Sequence, residues 1–148
     1  MELSTLRWLL EAASLGGVIA TLLYLPLRWG YLPREVPVHY GITGRPDRWG
    51  ARFTLVALPV IALGVYIMIS IQSRSLDLLL ASDALGESQD AGVMQALMIK
   101  ACLGWMMFLI LRSTEKIANK QAERLNPVVL LLLLAIVLPP LVRAISSR

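Results

Sequence analysis

The chain has 148 residues, of which 57% are hydrophobic, and its mean hydropathy is +0.67. Soluble domains contain about 45–50% apolar residues, and the excess here lies in long runs, which argues against an ordinary soluble enzyme. The formal net charge is +4. Because Lys and Arg flank the apolar runs and form no stripe with aromatic residues, they indicate control of membrane topology, and no nucleic-acid partner is expected. The single cysteine, Cys102, excludes an intrachain disulfide.

Four apolar runs each approach the ~20 residues that a helix needs to cross the hydrocarbon core. The first contains Glu11 and exceeds the roughly 7–15 residues of a signal-peptide core, so we expect it to be retained as a span. The sequence therefore predicts an all-α membrane protein, a four-transmembrane-helix bundle that forms a single integral membrane domain over residues 1–148. The four predicted spans are Trp8–Leu27, Phe53–Ile71, Val93–Leu111 and Pro127–Ile145.

Several residues within the spans predict local features. Pro59 predicts a kink in the second span, because proline removes a backbone hydrogen bond. Asn126 followed by Pro127 is typical of a helix start. Small residues recur every four positions in the first span and predict the close approach of another helix; they are Ala12, Gly16 and Ala20.

The distribution of basic residues predicts the orientation of the spans. The first and third loops carry nine Lys and Arg residues, whereas the two termini and the second loop carry four. Positive residues favour the cytoplasmic side, so we expect loops one and three in the cytoplasm and both termini outside. The second loop, Gln72–Ala91, combines acidic and apolar residues, which favours a short helix lying at the membrane interface.

The first loop, residues 28–52, is richer in special residues than a linker requires. Val36–Tyr40 is predicted to be extended, and Gly41–Gly44 to turn. This predicts a short β-hairpin-like cap on the membrane face, in which Gly44 and Gly50 adopt positive φ. Two aromatic residues are expected to anchor the cap at the interface, Tyr40 and Trp49.

The same loop resembles the N-terminal domain of the SdpI-like family of bacterial membrane proteins. The likeness extends over about Trp8–Ile71 and fades to hydropathy beyond it. That family shows a pattern close to L-P-x-x-I/V-P-x-H-a-x-x-x-G-x-x-D-x-a-G, where "a" is aromatic. The residues that match it are Leu32, Pro33, Val36, Pro37, His39, Tyr40, Gly44, Asp47, Trp49 and Gly50.

The resemblance implies a multi-pass protein of the bacterial cytoplasmic membrane. A well-known family member acts in immunity and sensing, which implies a non-catalytic binding module here. The alternative is an accessory subunit of a larger membrane complex. Expected partners are the lipid bilayer and either other membrane subunits or a peptide or protein ligand. No cofactor and no metal are expected, because no catalytic or metal-binding motif accompanies the loop.

Three titratable residues remain as candidates for a site. His39 is expected to hydrogen-bond Asp47 or a loop carbonyl and to hold the cap together, with ligand binding as the alternative. Glu11 and Lys100 are charges within spans, which are costly in lipid. We predict that they form an ion pair across the first and third spans. The alternatives are independent extension to the interface, contact with another subunit, or a proton pathway.

Overall fold

The structure is a computed structural model that describes residues 3–80 and 88–146. It is mostly helical, with a two-stranded antiparallel sheet between the first two long helices. Short 3-10 helices at Trp29–Tyr31 and Arg52–Val56 flank the sheet. The longer elements are α1 (Leu3–Arg28), β1 (Glu35–Tyr40), β2 (Pro46–Ala51), α2 (Ala57–Leu80), α3 (Ser88–Ala118) and α4 (Pro127–Ser146).

Three helical stretches are long and apolar enough to cross a membrane, namely Ser4–Tyr31, Arg52–Arg74 and Gly92–Ala118. They make this a membrane protein by length and composition. The fourth helix, α4, has 20 residues, but its described apolar part, Pro127–Pro139, is shorter than the other three. The fourth span therefore stays a prediction.

Helix α3 is the centre of the bundle, since α1, α2, α4 and β1 all pack against it. Its closest approach is to α1, where a Cβ added to Gly17 would lie 2.8 Å from the backbone of Gly104. Thr21 donates a hydrogen bond to the Gly104 carbonyl at 3.4 Å across this contact. Another helix does approach α1 closely, but through a different face from the predicted one. The small residues at the contact are Ser14, Gly17 and Thr21, not Ala12, Gly16 and Ala20.

The helix boundaries differ from the predicted spans in two places. Helix α3 continues to Ala118, so the polar residues after Leu111 are helical and not part of a loop. Helix α2 continues to Leu80, so the first part of the predicted second loop belongs to this helix and not to a separate interfacial helix. Residues 81–87 of that loop lie outside the described residues. Pro59 lies in the first turn of α2, where its missing N–H costs nothing, so it marks the start of the helix and not a kink.

The predicted hairpin-like cap is present as β1 and β2, joined by a turn over residues 41–44. The Gly44 N–H donates to the Gly41 carbonyl at 2.8 Å, and Gly44 has φ +73°, as predicted. The prediction of positive φ at Gly50 is wrong. Gly50 instead lies in β2 where a Cβ would come within 3.0 Å of Val38 Cγ1, so close packing is what disfavours a larger residue there.

The hairpin packs onto the ends of α1 and α3 through an apolar cluster. Val36 is fully buried within it, and the other buried members are Leu25, Leu32, Leu55 and Leu111. Tyr40 is not an exposed interfacial anchor as predicted, because its hydroxyl lies 2.6 Å from Thr114 Oγ1 on α3. Trp49 remains 48% exposed.

The hairpin turn also contacts the connection between α3 and α4. The Leu125 N–H donates to the Gly44 carbonyl at 3.0 Å, and Arg45 lies 4.0 Å from Glu123. The first and third loops therefore lie at the same end of the bundle. We call this end the cap end, and the opposite end, where α1 begins, the cavity end.

Candidate binding cavity

A cavity of about 620 Å³ opens between α1, α2 and α3 at the cavity end. Volumes of this size accommodate small organic ligands, which need roughly 300–1,000 Å³. Its apolar part is formed by Trp8, Val93 and Leu97. Its polar lining residues are Ser4, Arg7, Glu11, Tyr66, Ser70, Ser73, Arg74 and Lys100.

The floor of the cavity holds the predicted ion pair. Lys100 Nζ lies 2.5 Å from Glu11 Oε2, and the lysine side chain is only 2% exposed. Lys100 also donates to Ser70 Oγ at 3.2 Å and lies 4.7 Å above the Tyr66 ring. The structure thus joins Glu11 and Lys100 as the sequence predicted, and it adds two residues of α2 to the pair.

Hydrogen bonds link this pair into a closed polar circuit. The Tyr66 hydroxyl donates to Glu11 Oε1 at 3.2 Å, and Ser70 Oγ donates to the Tyr66 carbonyl at 2.7 Å. Each of the three helices contributes at least one member, since Glu11 is on α1, Tyr66 and Ser70 are on α2, and Lys100 is on α3. The circuit fixes the mutual positions of the helices around the cavity.

Two features of the lining favour a ligand with an acceptor group. The lining carries three bases, Arg7, Arg74 and Lys100, against one acid, Glu11. The buried Ser73 Oγ has no hydrogen-bond partner within the described residues. A buried hydroxyl without a partner costs free energy, and rotation of the Ser73 side chain toward the cavity would let a ligand oxygen satisfy it.

The predicted residues of the first loop lie elsewhere, at the cap end of the bundle. His39 Nδ1 lies 2.6 Å from Asp47 Oδ1, which confirms the expected contact, and both side chains are more than half exposed. Pro37 is buried in β1, Pro33 is half-buried, and Gly44 and Gly50 shape the hairpin. These residues build the cap and contribute nothing to the cavity lining.

Metal binding by the cap is not supported by its geometry. Within residues 3–80 and 88–146, no three His, Cys, Asp or Glu side chains come together as metal ligands require. The His39–Asp47 pair instead joins the two strands beside the turn, at a solvent-exposed position.

A family of known proteins matches the part of the chain that contains this cap. A family described as "Domain of unknown function (DUF1648)" matches residues 16–63, which is less than half of the chain. An uncharacterized protein of Archaeoglobus fulgidus is 46% identical over 39 residues. That stretch covers 26% of this chain and 21% of the relative, so the match spans about a fifth of the relative's length. No solved structure matches.

The cap end holds a second charged cluster that the sequence analysis missed. Glu115, which is 4% exposed, accepts a hydrogen bond from Arg28 Nε at 2.9 Å and another from the Tyr24 hydroxyl. Glu115 was missed because the third span was predicted to end at Leu111 and the residues after it to form a loop. A helical reading of residues 112–118 would have placed Glu115 one turn beyond Leu111, on the same buried face.

The α2 residues of the cavity carried a signal that the sequence analysis did not use. Tyr66, Ser70 and Ser73 are spaced by four and three residues, which places them on one face of a helix. A polar stripe within an apolar span indicates contact with the bundle interior or a cavity.

Proposed function

We propose that this protein is a non-catalytic membrane binding module that takes an amphipathic ligand with an anionic group into the cavity between α1, α2 and α3. The observation that supports this most directly is the cavity of about 620 Å³ with a buried, paired lysine at its floor. Its excess of bases suits an anionic group, and Trp8, Val93 and Leu97 suit an apolar chain or side chain.

The cap suggests a sensing role of the kind that the SdpI-like resemblance implies. Helix α3 contributes Lys100 to the cavity. Further along the same helix, Thr114 and Glu115 contact the cap and the end of α1. A ligand that pulls on Lys100 therefore acts on the helix that holds the hairpin. We propose that ligand binding at one end is read by a protein partner at the other, as an immunity or sensing module requires.

The proposed location is the bacterial cytoplasmic membrane, with four spans, both termini outside and the cavity open to the outside. The excess of Lys and Arg in the first and third loops supports this orientation. The direct contact between those loops at Gly44 and Leu125 supports placing both on one side of the membrane. Cysteine accessibility scanning tests it. A cysteine at the exposed position of Thr43 should be labelled only from the inside, and labelling in intact cells would reverse the orientation.

Ligand binding is tested with a dansyl-labelled long-chain carboxylic acid and its methyl ester, added to the purified protein in detergent. We expect the acid to bind more tightly than the ester, because the ester has lost the anionic group. Ser73→Leu, which fills the cavity, and Arg74→Gln, which removes a base from it, should both weaken binding of the acid. Arg48→Gln on the hairpin is the matched control and should leave binding unchanged. Equal binding of acid and ester, unaffected by Ser73→Leu, would contradict the proposal.

An accessory subunit of a larger membrane complex is the second candidate function. It is favoured by α4, whose described contacts are chiefly with α3 and whose remaining surface is apolar and exposed. Extraction in native lipid without detergent decides between the two functions. A stable stoichiometric complex with other membrane proteins favours the subunit, whereas a toxin or repressor gene beside this one favours the sensing module.

A further inference from the structure

A second cavity, of about 450 Å³, lies between the end of α3 and the start of α4 at the cap end of the bundle. We call it the α3–α4 pocket. Its charged lining residues are Arg112, Lys116 and Arg124, and it contains no acidic residue. Its apolar lining includes Leu109, Leu125 and Pro127. It shares no lining residue with the cavity between α1, α2 and α3.

The three bases of this pocket have no ion-pair partner among the described residues. Arg112 and Lys116 are four residues apart on one face of α3, while Glu115 turns toward Arg28 and Tyr24. Glu123, the acid in the connection to α4, faces Arg45 of the hairpin. The lining of the pocket therefore gathers three positive charges and includes no carboxylate.

The polypeptide holds the walls of the pocket in place. The Asn126 N–H donates to Ser113 Oγ at 3.3 Å, which ties the start of α4 to α3. Asn126 Oδ1 in turn accepts from the Val128 N–H at 3.0 Å and caps α4. These contacts fix the spacing of Lys116 and Arg124 on the two sides of the pocket, so their convergence follows from the fold.

The position of the pocket matches the headgroup level of a bilayer. The span that contains α3 ends at Ala118, and α4 begins at Pro127. The bases lie at this end, and Leu109 lies about two turns before Lys116, toward the membrane centre. A basic pocket between helices at the membrane surface, with apolar residues below it, suits a phosphate headgroup whose acyl chains continue along the helices.

We propose that the α3–α4 pocket binds a phosphate ester, supplied by the headgroup of an anionic phospholipid. Arg112 and Arg124 provide planar donors that can pair with two phosphate oxygens, and Lys116 adds a point charge. The proposal does not depend on the ligand of the other cavity. Positive charge that serves only to orient the protein in the membrane would not need to line one pocket between two helices.

The test compares thermal unfolding of the detergent-purified full chain with added phosphatidylglycerol or phosphatidylcholine of the same acyl chains. We expect phosphatidylglycerol to raise the unfolding temperature by several degrees more than phosphatidylcholine. The double change Lys116→Gln/Arg124→Gln should remove most of this difference. Arg34→Gln/Arg48→Gln on the hairpin is the matched control, because it removes the same charge from exposed positions at the same end, and it should preserve the difference.

A second arm distinguishes the lipid from a free phosphate ester. Glycerol phosphate in millimolar excess, without lipid, should protect the wild type weakly if the acyl chains contribute, and as strongly as the lipid if the phosphate alone is recognised. Either result supports the site when Lys116→Gln/Arg124→Gln abolishes the protection. The proposal is overturned if both double variants lose protection equally, or if the wild type shows no preference for phosphatidylglycerol. Native mass spectrometry of retained lipids on the same variants keeps the test valid if one of them is less stable.

Discussion

Two charged clusters lie at opposite ends of the contact between α1 and α3, and each joins an acid to a base across the two helices. At the cavity end the buried member is a base, since the side chain of Lys100 is 2% exposed and that of Glu11 is 36% exposed. At the cap end the buried member is an acid, since the side chain of Glu115 is 5% exposed and that of Arg28 is 44% exposed. Both buried charges belong to α3.

The clusters differ in what surrounds the buried charge. Glu115 accepts hydrogen bonds from both Arg28 and Tyr24, and the hairpin covers this end of the bundle. Lys100 has one carboxylate, Glu11, together with Ser70 and the Tyr66 ring, and it lines an open cavity. The hairpin therefore covers the charge pair at the cap end, whereas the charge pair at the cavity end lines a cavity where a ligand can reach it.

The largest effect is expected from removing that single carboxylate. Glu11→Gln leaves Lys100 buried without a countercharge, which costs about 3–5 kcal/mol of stability in buried pairs. Lys100→Met should cost less, because Glu11 is partly exposed and can turn toward water. The double change Glu11→Gln/Lys100→Met should also cost less than Glu11→Gln alone. Unfolding in detergent measures the free energy of unfolding of the three variants, and a double-mutant cycle gives the coupling between the two residues. Additivity within about 0.3–0.5 kcal/mol would show that the two residues act independently.

A methyl group placed midway between the clusters should disturb both. Gly17→Ala puts a Cβ 2.8 Å from the α3 backbone and forces the helices apart, at a cost of about 2 kcal/mol for such overpacking. Gly16→Ala is the matched control, because its Cβ would be 3.8 Å from the Trp105 ring, an ordinary contact. Unfolding temperatures of the two variants in the same detergent provide the measurement. A similar loss in both would mean that the close approach is not at Gly17.

At the cap end, removing one of two donors should have a smaller effect. Tyr24→Phe keeps the edge-to-face packing on Phe108 but removes one hydrogen bond to Glu115, worth about 1.5 kcal/mol for a charged acceptor. Tyr31→Phe, at a residue that is 64% exposed, serves as the control. If Tyr24→Phe lowers the stability as much as Glu11→Gln does, the two ends do not differ in how strongly they depend on one side chain.

The cap itself is tested at its turn. Gly44→Ala places a side chain at φ +73°, which costs about 1–2 kcal/mol in the left-handed region. The loss should be local, so limited proteolysis should cut the hairpin faster while the unfolding temperature of the helices changes little. Gly30→Ala, with no atom within 4 Å of its added Cβ, should be cut as the wild type is.

The smallest expected effect is a pH dependence of cap docking. Burial raises the pKa of Tyr40 above its ordinary value, although its hydrogen bond to Thr114 opposes this. The undocked hairpin would therefore lose the Tyr40 proton first, so docking should weaken as the pH rises above about 10, the usual tyrosine pKa. Hydrogen exchange of the β1 amides measures docking. Tyr40→Phe should lack this alkaline weakening, and an identical pH dependence in that variant would assign it to other tyrosines.

The sequence predicted features that depend on one residue type in a distinctive setting. Lys100 is a charge within an apolar run, and Glu11 was its evident partner, so their pairing could be inferred from the cost of burying either alone. Gly44 lies in a turn-rich segment, which made positive φ predictable. The membrane character of the chain also follows from composition and run length.

The features that were missed depend on where a helix ends and on which face is buried. Glu115 lies in the segment Arg112–Lys116, which resembles a loop in sequence because all five of its residues are hydrophilic. Tyr40 looked like an interfacial anchor because its partner, Thr114, lies 74 residues away. The close packing at Gly50 likewise depends on Val38 across the hairpin. Such pairings arise from tertiary contacts, which local sequence patterns do not encode.

The contacts that dock the cap limit how the segment shared with the family, residues 16–63, can pass from one protein to another. The family match ends at residue 63, yet Tyr24, Arg28 and Tyr40 within it depend on Glu115 and Thr114 of α3. The shared segment is thus not a self-sufficient unit, because on its own it would lose these partners and expose Leu25 and Val36, which pack with Leu111 of α3. We expect any protein that carries it to supply a helix with a carboxylate and a hydroxyl on adjacent residues, whatever else follows. Such a pair, found downstream in distant relatives, would show that the segment and its receiving helix evolved together.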